Sequence, residues 1–543
     1  MKHPVDMRPA RYPFLALSLA VVAWTAIAAQ AAGPADSPGV PVRRTNNRSP
    51  WFPVAESDVV FHMNYTGFTY TNAARTAGQR FLVDAIGPKI LSMIEAAEQR
   101  IILSVFLFDN FYSTVPSDSD VVGVLTDALV QKREACPDIR IAVILDPSHK
   151  AYGRRESPAE LRFRESGIDV FYSDLVTGLN RASFLGVREG LGHVNRGVDV
   201  LTFGGWGNLW SGLFSYAKVP AQFDGDTMSL ENVYNALLMK ANHRKLLVTD
   251  IHGTNYEALV SSANPHNASA NHVNSAVSVR GDPARYVHNL LRVDMMHCAD
   301  LGRRYAHWHD DVTRDYRRAF FVDRFPPLPM EAVSERPTGS EVGVRAQIVT
   351  ESGIPDGIVE LLHGVEAGDE VRIQMFYLSF KPVVEALLGA AQRSDTPVRL
   401  LLDANKDSFN RERDGTPNRQ VARYLLSESQ HQGGRIEVRW YSTHGEQNHA
   451  KTMSIVNPRT GKRQLTTGSC NWTGRNLDGV NMEANIIVDG SEPVVQDFNA
   501  LFDLFWSNAD GNEYSLPYEV FKDQTAPARK WVLGEKPFYY SGF

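Results

Sequence analysis

The sequence contains little cysteine, with 3 cysteines in a chain of 543 residues. So few cysteines exclude a disulfide scaffold, and the fold must depend on the burial of apolar side chains. Cys136 and Cys298 could pair in an oxidising compartment, or both could stay thiols, because the sequence does not reveal whether their Cβ atoms meet. Cys470 lies inside one of the motifs described below, and we interpret it as a small packing residue.

The chain also lacks a large excess of charge of either sign, with a formal net charge of −6. The total charge therefore gives no sign of polyanion binding, although a local basic cleft is compatible with it. With 43% hydrophobic and 22% charged residues, the composition is that of a globular protein and excludes a disordered chain or a coiled coil.

Long apolar runs are missing except near the N-terminus. There the stretch Phe14 to Ala28 follows a basic segment and precedes an Ala-x-Ala cleavage signal at Ala29-Gln30-Ala31. This pattern predicts a signal peptide over residues 1–31, and an uncleaved anchor is the alternative. No other stretch reaches the roughly 18 apolar residues of a membrane span, so we expect no transmembrane segment after signal removal. We expect a secreted or periplasmic protein.

Two similar motifs dominate the remaining chain. The first is Asn242-His243-Arg244-Lys245 and the second is Asn448-His449-Ala450-Lys451, each at the start of an apolar, β-prone run. In an extended chain the side chains at i and i+2 share a face, so each histidine should point the same way as its lysine. Each motif is followed at a similar distance by Ser-x-Asn, at 262–264 and 469–471. Two equivalent sets of His, Lys, Ser and Asn predict one shared site between two halves.

The elements around the motifs are also duplicated. The apolar runs 101–108 and 371–378 correspond, as do 141–146 and 398–403, and helical patterns alternate with them. This alternation predicts an α/β protein whose sheets are covered on both faces. Helical periodicity is present over 80–98, whereas 54–78 is aromatic and irregular. The predicted segments are a signal peptide (1–31), a leader and initial segment (32–78), a first repeat (79–310), a linker (311–344) and a second repeat (345–543).

The first half contains an insertion over residues 174–242 that the second half lacks. It holds a glycine- and aromatic-rich stretch from Phe203 to Tyr216. We interpret the insertion as a layer that packs over the strands, and the alternative is a lid or an acyl-chain surface beside the site.

The duplicated motifs resemble the phospholipase D superfamily, whose signature is His-x-Lys-x4-Asp followed by Ser-x-Asn in each half. The first copy is complete with Asp250, whereas Val456 occupies the Asp position of the second. The resemblance covers nearly all of the mature chain. It implies two phospholipase D-like α/β repeats packed with pseudo-twofold symmetry, an active site at their interface and no metal or other cofactor. It implies contact of Ser262 and Ser469 with substrate and structural support by Asp250. The implied catalytic residues are His243, Lys245, Asn264, His449, Lys451, Asn471 and Glu483.

These residue types suit the chemistry of a phosphodiester. One neutral imidazole can attack phosphorus, while a second, protonated imidazole donates a proton to the leaving oxygen. The lysines supply positive charge and the asparagines supply amide hydrogens for the non-bridging oxygens.

The roles of the two histidines follow from the resemblance. In the family an acidic residue of the opposite half often orients the nucleophile, which indicates Glu483 for His243 and leaves His449 as the acid. Aligning Val273-Asn274 with Val480-Asn481 places Ala276 opposite Glu483, and we consider Asp282 a substitute partner for His449.

Three functions are compatible with the sequence. The first is hydrolysis of a phospholipid at a membrane surface, with transfer to an alcohol as a variant. The second is a nuclease that acts on single-stranded nucleic acid, which the net acidity and predicted export disfavour. The third is an inactive binding protein at the envelope. We interpret 307–311, with two histidines and two aspartates, as a solvated turn rather than a metal site, and His252 and His266 as loop residues near the mouth of the site.

Overall fold

The computed structural model describes the chain from residue 47 to residue 523, with gaps. The signal peptide, the segment 307–311, nearly all of the insertion and most of the linker lie outside the described residues and stay predictions. The described ranges are 47–71, 77–108, 120–146, 157–173, 218–220, 227–229, 241–253, 255–304, 324–330, 343–408, 411–412, 415–477 and 481–523.

The secondary structure consists of alternating strands and helices. The strands are β1 (Phe52–Pro53), β2 (Val59–Tyr70), β3 (Gly78–Val83), β4 (Arg100–Val105), β5 (Arg140–Leu145), β6 (Asp169–Tyr172), β7 (Lys218–Pro220), β8 (Thr227–Ser229), β9 (Leu246–Ile251), β10 (Asn255–Ser261), β11 (Asn274–Arg280), β12 (Arg345–Thr350), β13 (Glu370–Met375), β14 (Val398–Asp403), β15 (Asp407–Ser408), β16 (Arg411–Glu412), β17 (Ile436–Tyr441), β18 (Lys451–Asn457), β19 (Lys462–Gly468), β20 (Ala484–Asp489) and β21 (Ser515–Pro517). The helices are α1 (Ile86–Ala96), α2 (Val121–Ala135), α3 (Pro158–Glu165), α4 (Asp282–Arg304), α5 (Gly353–His363), α6 (Lys381–Arg393), α7 (Asn418–His431), α8 (Gly474–Leu477) and α9 (Glu492–Ser507).

Most of the strands belong to two large mixed sheets that repeat one topology. The first has the order β3-β2-β11-β10-β9-β4-β5-β6, and the second β1-β12-β20-β19-β18-β13-β14-β17-β21. In both, three consecutive strands run parallel, β4-β5-β6 in the first and β13-β14-β17 in the second, and the other neighbouring pairs are antiparallel. The motif strands β9 and β18 occupy the junction between the two regions, which places both motifs in the middle of their sheets. The predicted α/β fold of two phospholipase D-like repeats is confirmed.

The two sheets share a central core and each has an outer core of its own. Alternate residues of a strand face opposite sides, so Val248 of β9 contributes to the central core and Leu247 to the outer one. Helices α1, α2 and α3 cover the outer face of the first sheet, and α5, α6 and α7 that of the second. The long helices α4 and α9 contribute to the central core together with strands of both repeats.

The N-terminal part of the fold differs from the prediction. Residues 80–98 do not form one helix, because Gly78–Val83 pairs with β2 as strand β3 and the helix starts at Ile86. The first sheet also begins before residue 79, since β2 pairs with β11. Part of the predicted leader and initial segment pairs with the second repeat, where Arg48 bridges Val349 and β1 pairs with β12. The partners of β1 and β2 in the large sheets, β12 and β11, are far away in the sequence, so short-range periodicity could not reveal these two pairings.

Two further sequence questions are settled for the described residues. Cys136 and Cys298 are not joined by a disulfide, and Cys298 is buried in the central core. Among the described residues, no helix combines the length and the apolar character that crossing a bilayer requires.

Candidate active site

Backbone hydrogen bonds between the two repeats bring both motifs to one interface. His243 N donates to Met482 O over 2.8 Å, and Val273 N donates to Gln447 O over 2.9 Å. Asn242 and Met482 form one cross-repeat bridge, and Val273 and Asn448 form the equivalent bridge. Each motif is therefore held by the repeat to which it does not belong.

The first histidine is oriented by a carboxylate of the opposite repeat. His243 Nδ1 lies 2.9 Å from Oε1 and 3.1 Å from Oε2 of Glu483. Glu483 is fully buried, and His243 is 9% exposed. Because Nδ1 is engaged by the carboxylate, Nε2 is the ring nitrogen that can act on a ligand.

The second histidine is oriented by an amide rather than a carboxylate. His449 Nδ1 lies 3.0 Å from Asn274 Oδ1, so Nδ1 carries the hydrogen and Nε2 again faces the site. The suggested substitute, Asp282, is instead at the start of α4, where it binds Arg285 over 2.9 Å. That part of the prediction is wrong.

The hydrogen bonds of the two serines show which residues correspond between the repeats. Ser262 Oγ donates to Asn274 Oδ1 over 3.0 Å, and Ser469 Oγ donates to Glu483 Oε2 over 2.5 Å. Asn274 is therefore the counterpart of Glu483, and the predicted match of Ala276 with Glu483 is off by two residues. The reason is loop length, since 12 residues separate the first pair and 14 the second.

The same two serines lie behind the histidines. Both are fully buried, and each also accepts a backbone N–H over 3.0 Å, from Ser275 or from Ala484. Each serine hydroxyl thus holds the side chain that orients a histidine, Asn274 for Ser262 and Glu483 for Ser469. The sequence had instead suggested that the two serines contact the substrate.

The two lysines are held in the same way in both repeats. Lys245 Nζ donates to His243 O and Lys451 Nζ donates to His449 O, each over 2.6 Å. Each ammonium also lies 5.3 Å from the centre of a phenylalanine ring, Phe106 for Lys245 and Phe376 for Lys451. The same rings contact the histidines, with centroids 5.1 Å apart for Phe106 and His243 and 5.0 Å for Phe376 and His449.

These groups form one electrostatic unit. Burial lowers the pKa of His243 to about 4, opposed by Glu483 and reinforced by Lys245 and Lys451. Burial also lowers the pKa of Lys245 to about 7, and the pKa of Lys451 falls because of burial and of Lys245. For His449 the pKa is lowered by burial, by both lysines and by His243. Mutual repulsion of cations from both repeats is what a site built for an anion requires.

The two motif asparagines have hydrogen-bonding capacity that the protein does not use. Oδ1 of Asn264 and Oδ1 of Asn471 are buried and lack a hydrogen-bond partner among the described residues. An unused buried amide oxygen costs free energy. Rotation of the terminal amide presents either Oδ1 or Nδ2 to a ligand, so these amides suit a polar group that enters between the motifs.

Asp250 supports a turn at the far end of β9. Its carboxylate accepts from the backbone N–H groups of Glu98, Gln99 and Arg100 over 3.1, 2.8 and 2.5 Å. In the second repeat Asn457, the neighbour of Val456, donates to Asp369 over 2.8 Å and thereby fixes the equivalent turn. A different side chain thus does the work of the missing motif aspartate.

The remaining predicted loop histidines have other positions. His252 follows β9 at the end opposite to the motif, and its side chain is 79% exposed beside Glu98. His266 is buried and lies 3.3 Å from Ser269 Oγ. His272, which the sequence did not indicate, lies close to the site, with its ring 5.9 Å from that of His449.

Several site residues were missed although the sequence contained a signal. Asp146 directly follows β5 and Asp403 ends the equivalent β14, and each accepts the backbone N–H of the asparagine before a motif histidine. Phe106 and Phe376 also occupy matching positions in the duplicated runs. A search for acidic or aromatic residues at matching positions of the duplicated runs would have identified all four of these residues. Asn274 could not be found this way, because its counterpart is a glutamate and the connecting loops differ in length.

Comparison with known proteins agrees with this architecture. Residues 361–506 match a family model described as "Cardiolipin synthase, PLD-like domain". No curated protein matches the chain in sequence. Among solved structures, phosphatidylserine synthase from Haemophilus influenzae is 11% identical, with 92% of this chain and 97% of that chain covered and a TM-score of 0.52. At this identity the likeness concerns the fold.

Two more distant structures share smaller or looser similarity. Polyphosphate kinase from Porphyromonas gingivalis is 11% identical over 86% of this chain and 52% of its own, with a TM-score of 0.39. The phospholipase D family member Nuc from Salmonella typhimurium is 16% identical over 32% of this chain and 99% of its own, with a TM-score of 0.24.

The matching family model covers the second motif, and the fold repeats the same arrangement around the first. The second repeat therefore contains a PLD-like domain, and the chain has the fold of two such repeats whose motifs are joined at one interface.

Proposed function

We propose that this protein is an exported, metal-independent phosphodiesterase of phospholipase D type that hydrolyses a phosphatidyl lipid to phosphatidate and a free head group. Transfer of the phosphatidyl group to an alcohol is the variant of the same reaction in which the alcohol replaces water. The observation that carries the proposal is the pair of equivalent His-Lys-Asn sets, which come from opposite repeats and influence one another's charge.

In the proposed first step Nε2 of His243 attacks phosphorus while the bond from phosphorus to the leaving oxygen breaks. Nε2–H of His449 transfers its proton to that oxygen, so the head group leaves as a neutral alcohol. The product is a phosphohistidine whose imidazole is cationic, with Nδ1–H still directed at Glu483.

In the second step water approaches the phosphohistidine. His449 Nε2 accepts a proton from the water as its oxygen attacks phosphorus, and the bond from phosphorus to His243 breaks. Both histidines return to their starting protonation. The protons balance over the two steps without a further reactant.

The different partners of the two histidines support this division of roles. Glu483 is anionic, because His243, Lys245 and Ser469 outweigh the effect of burial and lower its pKa. An anion beside His243 stabilises the positive charge that forms on a nucleophilic imidazole. The neutral amide of Asn274 gives His449 no such stabilisation, which makes a protonated His449 the stronger acid.

The lowered pKa values of the two histidines and the two lysines apply before a phosphodiester binds. A bound phosphodiester places a negative charge among both lysines and both histidines, and this charge raises their pKa values. Substrate binding thus promotes protonation of His449, the form that the first step needs. Lys245, Lys451, Asn264 and Asn471 would then bind the non-bridging oxygens.

The choice of lipid as substrate is supported by the matching family model, whose description names cardiolipin synthase. The structural neighbour with the same two-repeat fold bears the name phosphatidylserine synthase. Both names concern enzymes that handle phospholipids. Cleavage of single-stranded nucleic acid is the competing outcome of the experiment below.

The test is an assay of the chain without residues 1–31, in EDTA, with phosphatidylcholine or phosphatidylglycerol vesicles and with a labelled oligonucleotide. We expect release of the head group, lost in His243→Ala and reduced roughly 10²- to 10⁴-fold in His449→Ala. His431→Ala, at an exposed position in α7, is the matched control and should retain full activity. Cleavage of the oligonucleotide alone would reject the lipid assignment, and no turnover of either would reject the enzyme.

The nucleophile is identified by trapping. A substrate with a good leaving group, such as a p-nitrophenyl phosphodiester, needs little help from His449 in the first step but still needs it in the second. The His449→Ala variant should therefore accumulate the phosphoryl group, which still carries its second ester substituent, on the peptide that contains His243. Phosphate on the His449 peptide of the wild-type enzyme would reverse the roles.

A further inference from the structure

Directly behind the first motif lies a buried cluster of charges that the proposed reaction does not use. Arg244, the residue between His243 and Lys245, points to the opposite side of the strand and is fully buried. Its guanidinium binds Asp294 of α4 and Glu351, which follows β12; the contact with Glu351 Oε1 is 2.5 Å long. Two carboxylates from two repeats thus meet on one arginine.

The cluster is connected to Glu483 through the backbone. Arg244 Nε donates to Glu483 O over 3.3 Å. Glu351 Oε1 accepts from Glu483 N over 3.2 Å, and Glu351 N donates to Glu483 O over 3.4 Å. Both backbone polar groups of Glu483 are therefore held by the cluster, while its side chain holds His243.

The fold itself does not need this arrangement. In the second copy of the motif the place of Arg244 is taken by Ala450, which is fully buried on the equivalent strand of an equivalent sheet. A buried ion cluster also contributes little to stability compared with apolar residues of the same volume, because desolvation of the charges offsets their attraction.

The backbone at Glu351 is strained where it joins the cluster. Its φ angle is +42°, in the left-handed region that non-glycine residues seldom adopt. Strain of this kind persists where the surroundings impose it, and it concentrates near functional sites. Burial raises the pKa of Glu351, and Arg244 opposes the rise.

We propose that Arg244, with Asp294 and Glu351, is a positioning residue for the nucleophile that fixes the backbone of Glu483 so that its carboxylate orients His243. The second motif has Ala450 in the place of Arg244, and the action of the cluster on the reaction rests on the proposed function. The acid, His449, is oriented by the amide of Asn274.

The experiment compares Arg244→Lys and Glu351→Gln with Arg345→Lys. Arg244→Lys keeps the charge but loses the fork that contacts two carboxylates and a carbonyl together. Glu351→Gln keeps an acceptor for Glu483 N and removes the charge. Arg345→Lys is the matched control. Arg345 lies at the start of β12 and forms a half-buried ion pair with Asp489, whereas Glu351 follows the other end of the same strand.

Two readouts separate positioning from stability. The first is the single-turnover rate of phosphohistidine formation, which should fall about tenfold to a hundredfold in both cluster variants, with KM within about twofold of wild type. The second is the low-field NMR resonance of the His243 Nδ1 proton, which should shift or broaden in both variants. Arg345→Lys should leave rate and resonance unchanged.

The outcomes are distinct. Normal rate and normal resonance in both cluster variants, or a lowered Tm with a normal rate per folded molecule, would overturn the proposal. If Arg244→Lys does not fold, Glu351→Gln decides alone. If the wild-type enzyme forms no phosphohistidine, the proposed function fails, and the resonance still decides whether the cluster orients His243.

Discussion

At the scale of single residues, the main asymmetry of the site is the pairing of one histidine with a carboxylate and of the other with an amide. Each of Glu483 and Asn274 accepts a hydrogen bond from one serine and contacts Nδ1 of one histidine. The two side chains thus occupy equivalent places, but one is a carboxylate and the other a neutral amide. The roles of the two histidines can therefore be tested by exchanging that charge without changing the shape of the site.

Glu483→Gln should slow phosphohistidine formation about a hundredfold, because the cation that forms on His243 loses its stabilising charge. The reciprocal change, Asn274→Asp, adds an anion beside His449 and raises the pKa of that imidazole. The high-pH limb of kcat/KM, where the acid loses its proton, should then move to higher pH by about one unit. Pre-steady-state kinetics and a pH–rate profile measure the two effects. If Glu483→Gln kept its rate while Asn274→Asp lost activity, His449 would be the nucleophile and His243 the acid.

The depressed pKa of Lys245, about 7, predicts proton uptake when an anion binds. Near pH 7.5 much of Lys245 is neutral, and a bound anion favours its charged form. Sulfate, which stays a dianion throughout this range, should therefore bind with net proton uptake, and its affinity should fall as the pH rises above about 7. Calorimetry in buffers of different ionisation enthalpy gives the proton number. Lys245→Met should reduce that number, and unchanged uptake in this variant would contradict the assignment.

At the scale of secondary-structure elements, one end of each motif strand serves the site and the other end stabilises a turn. The segment that leads into β9 presents His243 and Lys245 to the site, while the end of β9 holds Asp250 against the turn before β4. In the second repeat the turn before β13 is held by Asn457 and Asp369. The aspartate of the motif is thus structural, and another polar residue can replace it if it reaches the equivalent turn.

Asp250→Asn should lower the free energy of unfolding by about 1–3 kcal/mol, because three backbone N–H groups lose a charged acceptor in the interior. Asn457→Ala should have a similar cost in the second repeat. Urea unfolding measures both, with Asp356→Asn, at an exposed position in α5, as the control. A fall in kcat at unchanged stability in Asp250→Asn would mean that this residue acts on the site rather than on the turn.

At the scale of the whole molecule, the two repeats are joined by a central core and by the site itself. Val277 and Ile486, from opposite sheets, belong to one apolar cluster. The hydroxyls of Ser275, Thr452 and Thr467 form a closed ring of hydrogen bonds between the repeats, 2.8–2.9 Å long. Because each histidine is oriented by the other repeat, neither half on its own contains a complete site.

Buried neutral histidines predict that acid destabilises the protein. Burial lowers the pKa values of His62 and His288 to about 4 and that of His272 to about 3, compared with about 6.5 in an unfolded chain. Between these limits the unfolded chain binds more protons, so stability is fully present above about pH 6.5 and falls as the pH falls towards 4. Urea midpoints at pH 7, 6 and 5 at constant ionic strength should decrease in this order. His62→Gln, which can keep the hydrogen bond to Ser278, should reduce the slope; a steeper slope in this variant would contradict the assignment.

The sequence by itself determined the duplication, the α/β class and the residues of the two motifs, because apolar period, motif spacing and residue chemistry are local properties. The tertiary structure alone decided that Asn274 orients His449, that Arg244 holds Glu483, and that residues 47–53 and 59–70 join the sheets. These features depend on contacts between segments that are hundreds of residues apart or on loops of unequal length. Patterns along the chain do not encode such distances, whereas the packing of two sheets around a shared core fixes them.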